Sequence, residues 1–197
     1  MTLDAIRKIV LAPKVIVHGG QLGVDRGAHH GARAARIQIF GYMPANCEDE
    51  AGMIPEEIRG YLVRCKRKGY AARTDANLDF ADALLVIVPD RARPARSPGT
   101  ARTLDGARER SLPYLVVDHD VDVSTVRQWV SSHCVMTSRQ KLALMPETNG
   151  TRLMVAGPRA SKWPEGEAVA QRFVAALAQQ APPKAIVDEI ARERGWA

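Results

Sequence analysis

The segment Gly19–Asp25, with the sequence Gly-Gly-Gln-Leu-Gly-Val-Asp, has the composition of an anion-binding loop. Glycine accepts positive φ angles and, because it lacks a Cβ atom, lets backbone N–H groups approach an oxyanion closely. A helix that begins near Val24 would add the partial positive charge of its N-terminus. Asp25 and Arg26 place an acid and a base in the first helical turn. We predict a phosphate site of a nucleotide-like ligand; the alternative is a glycine turn that only permits close strand–helix packing.

A second segment, Ser97–Thr100, has the same character. It ends a loop and opens a helix, so its free N–H groups and the Thr100 hydroxyl could bind another phosphate oxygen, unless Thr100 only caps the helix. The loop before it is rich in arginine, and Arg93, Arg96 or Arg102 could each donate two hydrogen bonds to a phosphate. The alternative for these arginines is a solvated basic surface.

A third segment, Gly157–Lys162, combines a glycine turn with an arginine, a serine and a lysine just after an apolar run. None of the three segments matches the G-x-G-x-x-G dinucleotide pattern, and Gly19–Asp25 lacks the lysine of a P-loop. The ligand class is therefore not settled by motif alone.

The elements around these segments predict the architecture. Each segment joins a β-branched apolar run to a stretch with helical spacing, which is typical of βα units. Continuous apolar runs favour a parallel sheet covered on both faces, so we predict a Rossmann-like, three-layer α/β/α fold with at least five strands. The expected strands are Lys14–His18, Ile37–Phe40, Ala83–Val88, Tyr114–Val117 and Arg152–Ala156, and the helices after the three loops are Val24–Arg36, Gly99–Arg110 and Glu165–Gln179.

The remaining segments are less regular. Helical spacing also predicts helices at 56–65, 71–81 and 123–132, whereas residues 133–149 fit no element. Pro182 and Pro183 break the chain ahead of an amphipathic helix at Lys184–Arg194. We therefore expect one domain at 1–180, and at 181–197 a C-terminal helix that docks on the domain or on a partner subunit of a homo-oligomer.

Composition restricts the class of protein. The chain has 197 residues with a formal net charge of +6, which favours anionic partners. It has no run of about 18 apolar residues, so we expect no membrane partner. Cys47, Cys65 and Cys134 form neither a disulfide framework nor a metal knuckle, which favours the reducing cytoplasm. The histidines lack the spacing of a metal site, and we predict none.

Taken together, these segments resemble the SLOG superfamily, which includes the LOG cytokinin-activating phosphoribohydrolases, DprA and YpsA. The resemblance covers roughly residues 14–177 and is closest to the circularly permuted YpsA branch, whose members are often named as molybdenum (cofactor) carrier proteins. Permutation would explain why the strand before Gly157, which resembles the first strand of unpermuted relatives, lies near the C-terminus. The resemblance rests on Gly19–Arg26, Arg73–Asn77, Gly99–Thr100 and Val155–Lys162.

The resemblance implies a nucleotide or nucleotide-derived small molecule held across the strand ends, and it leaves the cofactor open between a nucleotide and a molybdenum cofactor. Its binding residues, carried over by motif, would be Gly19, Gly20, Gln21, Gly23, Asp25, Asn77, Gly99, Thr100, Gly157, Arg159 and Lys162.

The resemblance leaves catalysis open. LOG enzymes have a glutamate three residues after the threonine of their Gly-Thr motif, where this chain has Thr103. The branch usually has threonine in place of Leu22. A hydrolase of nucleotide N-glycosidic or phosphoester bonds would have to use Asp25, Asp105 or Arg159, and N-glycoside cleavage needs a carboxylate. We expect ligand binding first, hydrolysis second, and DprA-like binding of single-stranded nucleic acid third, since only 5% of the residues are aromatic.

Overall fold

The computed structural model describes residues 13–141, 151–178 and 192. Strands and α-helices alternate along most of this part of the chain, as the sequence predicts. The strands are β1 (Val15–Val17), β2 (Gln38–Phe40), β3 (Tyr42–Met43), β4 (Glu48–Asp49), β5 (Gly52–Met53), β6 (Val63–Arg64), β7 (Ala83–Ile87), β8 (Tyr114–Val117) and β9 (Arg152–Ala156). The α-helices are α1 (Val24–Ala34), α2 (Glu56–Arg59), α3 (Tyr70–Phe80), α4 (Pro98–Glu109), α5 (Val123–Lys141) and α6 (Gly166–Ala175).

Five parallel strands form the central sheet in the order β2-β1-β9-β7-β8. β1 and β7 are buried along their whole length because helices cover both faces of the sheet. This burial explains the continuous apolar runs in the sequence. The predicted Rossmann-like, three-layer α/β/α fold is confirmed, and β9, from the C-terminal part of the chain, lies at the centre of the sheet.

The two faces of the sheet have separate cores. Val24, Val126 and Phe173 belong to the core that α1, α5 and α6 form on one face. Leu78 and Leu104 belong to the core that α3 and α4 form on the other face. The connection from β1 to β2 therefore runs over one face and the connection from β7 to β8 over the other, which is the doubly wound arrangement.

The sequence prediction is wrong between β2 and α3. The expected helix at 56–65 is helical only at Glu56–Arg59, and the chain then continues into β6, which pairs with β3. β4 and β5 form an antiparallel hairpin in a stretch to which the sequence prediction assigned no element. These short elements enclose a small core of their own, so residues 42–65 form an insertion beside the main sheet; its core residues are Met43, Ile54, Ile58 and Leu62.

One further helix is longer than predicted, and another predicted helix is untested. α5 continues beyond Ser132 to Lys141, into a segment to which the sequence assigned no element. Apart from Arg192, the expected helix at Lys184–Arg194 lies outside the described residues. No helix in the described part of the chain is long and apolar enough to cross a membrane.

Close packing of α1 on α6 depends on small residues. A Cβ atom at Gly27 would lie 2.0 Å from the carbonyl oxygen of Glu167, which belongs to the backbone of α6. Such a contact cannot be relieved by rotating a side chain, because backbone would have to move. We therefore expect Gly27→Ala to separate the two helices.

Gly27→Ala should lower the free energy of unfolding by about 1–3 kcal/mol, the usual range for overpacking. Urea denaturation measures the change. Gly60→Ala is the matched control, because Gly60 has an ordinary φ of −58° and its added Cβ would lie 3.5 Å from its nearest neighbour. Equal stability of the two variants would contradict this account of the packing.

Candidate functional site

The first and third glycine loops are joined through their backbones. The Ala160 N–H donates to the Leu22 carbonyl at 3.0 Å, and the Val24 N–H donates to the Pro158 carbonyl at 3.4 Å. Gly23, between them, has a φ of +107°, and a Cβ there would lie 2.6 Å from the Ala160 nitrogen. Glycine is required at this position because any side chain would separate the two loops.

A cleft opens at the carboxyl ends of β1, β9 and β7, where the three predicted loops meet. We call it the strand-end cleft; its cavity volume is about 120 Å³. Residues from all three loops, from α3 and from α4 line it. They are Gln21, Asp25, Tyr70, Ala71, Arg73, Thr74, Ser97, Gly99, Arg102, Thr103, Met154, Ala156, Gly157 and Arg159.

The Asp25 carboxylate holds the first loop in shape. Its Oδ2 atom accepts hydrogen bonds from the N–H groups of Gly19 at 3.0 Å and Gln21 at 3.2 Å. The same oxygen accepts a hydrogen bond from Nη1 of Arg73 at 3.1 Å. The glycine loop thus already binds one anion, the side chain of its own helix, and these two amides are engaged within the protein.

Asp25 and Arg73 form a largely buried ion pair, with side chains 8% and 13% exposed. Burial raises the pKa of the Asp25 carboxyl, while Arg73 and the two amides act in the opposite direction. The guanidinium of Arg73 also fills the space beside Gly19, since a Cβ there would lie 1.5 Å from Nη1. Gly19 is therefore needed to admit Arg73 to the loop.

Two buried histidines support the loop from beneath. The Gly20 N–H donates to Nδ1 of His18 at 3.1 Å, so the proton of the neutral His18 ring lies on Nε2. That Nε2 lies 3.3 Å from Nδ1 of His29, to which it donates. Burial lowers the pKa of His18 to about 3 and that of His29 to about 4, with smaller contributions from neighbouring positive charge. Both rings are neutral at pH 7, and the His18 ring holds the Gly20 amide of the loop.

The second loop brings the N-terminus of α4 to the cleft. Ser97 and Gly99 line it, and no atom lies within 4 Å of a Cβ built on Gly99, so the backbone is open there. Thr100 is 2% exposed, and its hydroxyl has no hydrogen-bond partner among the described residues. Thr100 is the third residue of α4, whose N-cap is Ser97, so the alternative that it caps the helix is wrong. A buried hydroxyl without a partner is costly.

The third loop contributes Gly157 and Arg159. A Cβ on Gly157 would lie 2.2 Å from the Ile87 carbonyl oxygen, so this glycine allows β9 and β7 to end side by side. The Arg159 side chain is 48% exposed, with Nε 3.8 Å from the Glu50 carboxylate. Lys162, which the resemblance also implies, is exposed and does not line the cleft.

The β4–β5 hairpin closes one side of the site. The Asp49 carboxylate is buried and lies 2.6 Å from Nη2 of Arg26. Glu50, in the turn, accepts hydrogen bonds from the backbone and hydroxyl of Ser161 in the third loop. The hairpin therefore contacts both the first helix and the third loop.

Two of the predicted site residues, Asn77 and Asp105, do not line the cleft. Asn77 is fully buried, and its side chain accepts from the Tyr42 N–H at 2.7 Å and donates to the Tyr42 carbonyl at 3.0 Å, which anchors β3 to α3. Asp105 lies outside the cleft, with an exposed carboxylate 2.7 Å from Arg108. Thr103 does line the cleft, but its hydroxyl donates to the Gly99 carbonyl at 2.9 Å.

The structure brings Gln21, Asp25, Gly99, Gly157 and Arg159 together at the cleft, with Gly19, Gly20 and Gly23 shaping the loop beside it. The list of predicted binding residues did not include the side chains that α3 contributes to the cleft. Tyr70, Arg73 and Thr74 share one helical face, a spacing that could have indicated a common target. No group of three metal-ligating side chains occurs in residues 13–133 and 151–178.

The two buried histidines should make stability depend on pH. Their pKa values in the fold lie below the ordinary 6.5, so the unfolded chain binds more protons between pH 6.5 and about 4. The free energy of unfolding should therefore fall as pH falls through this window, by up to about 1.4 kcal/mol per pH unit for each ring. Urea denaturation at several pH values measures the slope.

His18→Asn keeps an acceptor for the Gly20 N–H but removes one titrating ring, so the slope should become shallower. His119→Asn, which removes an exposed histidine, is the control and should leave the slope unchanged. An identical slope in His18→Asn and the unmodified protein would show that His18 is not the neutral, buried group described above.

Asp25→Asn should lower the free energy of unfolding by about 3–5 kcal/mol at pH 7, because it leaves the Arg73 guanidinium buried without its counter-charge. Asp105→Asn is the matched control, since it removes the same charge from an exposed pair and should cost less than about 1 kcal/mol. Chemical denaturation compares the two variants, and a small effect of Asp25→Asn would mean that Asp25 does not hold the loop through its charge.

Comparison with known proteins identifies the family. The sequence profile of the circularly permutated YpsA SLOG family matches residues 16–178. A crystal structure of a "putative molybdenum carrier protein" from Syntrophus aciditrophicus SB is similar, with 27% identity and a TM-score of 0.68 over 84% of this chain and 95% of that one. No curated protein sequence matches significantly. Because the profile spans most of the chain and the fold agrees, the protein belongs to the circularly permutated YpsA SLOG family.

Proposed function

We propose that this protein binds a nucleotide-derived anionic small molecule in the strand-end cleft, with its phosphate at the N-terminus of α4. The observation that carries the proposal is the convergence of three strand-end loops on one cleft that also contains Arg73, Arg102 and Arg159. Helix N-termini and arginine side chains are the groups that proteins use to bind phosphate.

The position of the cleft in the sheet supports this proposal. The chain leaves β1 toward β2 on one side of β9, and leaves β7 toward β8 on the other side. Such a topological switch point separates the two crossover connections and leaves a crevice beyond the strand ends, where open α/β sheets bind their ligands. The strand-end cleft lies at this crevice.

Two buried donors outside the first loop have no partner in the described part of the chain, unlike the amides of that loop. The amides of Gly19 and Gln21 are engaged by Asp25, whereas the Thr100 hydroxyl and Nε of Arg73 are buried without a partner in the described part of the chain. A ligand oxygen that reached these atoms would recover the cost of burying them. We therefore propose that the phosphate binds at the second loop rather than at the first, as the sequence alone had suggested.

Carboxylates orient the arginines before a ligand arrives. Arg73 pairs with Asp25, and Nη2 of Arg102 lies 2.9 Å from Asp75. A guanidinium has five N–H donors, so one carboxylate contact leaves others for a ligand. Preoriented donors bind an anion with a smaller loss of side-chain entropy.

A molybdenum-containing cargo, as the name of the similar structure indicates for that protein, fits this site only in certain forms. The described residues contain no cluster of three thiolate, imidazole or carboxylate ligands for a bare metal ion. Molybdate, an oxyanion, or a pterin cofactor with its own phosphate would use the same donors as a nucleotide. We therefore include both in the binding test.

Two alternative functions have less support. N-glycoside hydrolysis needs a free carboxylate. The one carboxylate among the cleft-lining residues, Asp25, is engaged by Arg73 and two amides. Binding of nucleic acid needs a basic surface, yet Arg93 lies 2.9 Å from Asp90 and Arg91 lies 3.5 Å from Asp118. These pairs reduce the positive potential of the arginine-rich loop.

The binding proposal is tested by calorimetry with the four nucleoside monophosphates, inorganic phosphate, molybdate and molybdopterin. At least one organic phosphate should bind, and Arg159→Gln should weaken its binding about tenfold or more, since a charge-assisted hydrogen bond contributes about 1.5–3 kcal/mol. Both the wild type and the variant should have the same melting temperature, because this side chain is half exposed.

Arg93→Gln is the matched control, since it removes the same charge from an exposed arginine outside the cleft and should leave affinity within about twofold. If inorganic phosphate or molybdate binds and no organic phosphate does, the site binds a simple oxyanion and not a nucleotide-derived molecule. If none of the compounds binds, the proposed function is wrong.

A further inference from the structure

A second, larger cavity adjoins the strand-end cleft. Its volume is about 370 Å³, against about 120 Å³ for the cleft, and Tyr70 lines both. The rest of its wall comes from the insertion at 42–65, including Asn46 and Arg64, and from Lys68 and Gly69, which lie just before α3. We call it the basic cavity, for the two cationic side chains in its lining.

Carboxylates lie beside the cationic side chains of the cleft, whereas those of the basic cavity have no such counter-charge in the described part of the chain. Arg64 and Lys68 belong to a run with four cations in the five residues 64–68. The Arg64 Nε donates to the Ala45 carbonyl, which holds the guanidinium along the cavity wall. In the described part of the chain, no carboxylate forms an ion pair with Arg64 or Lys68, whereas each cleft arginine has one nearby.

Tyr70 is the one lining residue that the two spaces share. It is 44% exposed, and the guanidinium carbon of Arg159 lies 6.0 Å from the centre of its ring. Gly69, just before it, has a φ of +96° and no atom within 4 Å of an added Cβ, so the space beside this residue is open. An exposed aromatic ring beside a cation offers a flat surface on which a planar group can stack.

Size also indicates that the cleft is only part of a site. Pockets that enclose an organic ligand usually have volumes of about 300–1,000 Å³. The cleft alone is smaller than this range, the basic cavity alone lies near its lower end, and the two together fall well within it.

We propose, resting on the proposed function, that the ligand is elongated and carries two separated anionic groups, as a dinucleotide does. One anionic group binds at the α4 side of the cleft, the middle of the ligand crosses Tyr70, and the second anionic group binds Arg64 and Lys68. A mononucleotide would occupy the cleft alone and would leave the basic cavity unused.

Calorimetry on the full chain at 150 mM salt compares each nucleoside monophosphate with the matching 5′-phosphorylated dinucleotide. The dinucleotide should bind about tenfold more tightly or better, because its second phosphate gains charge-assisted hydrogen bonds. The double variant Arg64→Ala/Lys68→Ala should abolish this gain and leave mononucleotide affinity within about twofold. Lys68→Ala alone keeps the Arg64 contact with the backbone and should lose part of the additional dinucleotide affinity. This single variant replaces the double variant if the latter does not fold.

Lys66→Ala/Arg67→Ala is the matched control: it removes the same charge from the same run, at residues that do not line the cavity. It should keep the dinucleotide gain. If this control loses as much dinucleotide affinity as the Arg64→Ala/Lys68→Ala variant, the run acts only through its overall charge and the proposal is overturned. The proposal is also overturned if mononucleotides bind as tightly as dinucleotides, although the proposed function would then stand. If neither compound binds, the proposed function fails as well.

Discussion

The candidate site depends on one buried anion, the carboxylate of Asp25. A chain segment with several glycines has high conformational entropy, so the loop after β1 needs a fixed point to adopt one shape. Oδ2 of Asp25 provides it by accepting hydrogen bonds from two loop amides and from Arg73. Since Arg73 belongs to α3, the same oxygen joins the loop, the first helix and the opposite layer of the fold. The neutral His18 ring beneath Gly20 completes this arrangement.

The same interaction changes the interpretation of the glycine motif. Glycines ahead of a helix are commonly associated with a ligand phosphate, and here two of their amides bind a protein carboxylate instead. We propose that the neighbouring loops provide the anion-binding groups instead, because the N-terminus of α4 is open and the Thr100 hydroxyl is buried without a partner in the described chain. The glycines are nevertheless needed: Gly19 admits Arg73, and Gly23 and Gly157 allow adjacent backbones to approach.

The insertion at 42–65 gives the site features that a plain doubly wound sheet would lack. Its hairpin pairs with Arg26 and Ser161, and its small core contacts the first loop, since a Cβ on Gly20 would lie 2.8 Å from Leu62. It also supplies most of the basic cavity. Short strands of two residues carry little periodic signal, and the residues 56–65 have enough apolar spacing to imitate a helix. Sequence patterns therefore predicted the main sheet well and this insertion poorly.

By itself, the sequence determined the five-stranded Rossmann-like sheet, its main helices and the three strand-end loops, because apolar periodicity and glycine turns depend on local spacing along the chain. The resemblance to SLOG proteins, read from the same loops, was also sufficient for the family. Only the tertiary structure decided which candidates share a cleft. Asn77 and Asp25 are both polar residues near a loop, yet one fixes Tyr42 and the other fixes the glycine loop. Their roles depend on partners distant in sequence or on the folded shape of a loop, and spacing along the chain does not encode those distances.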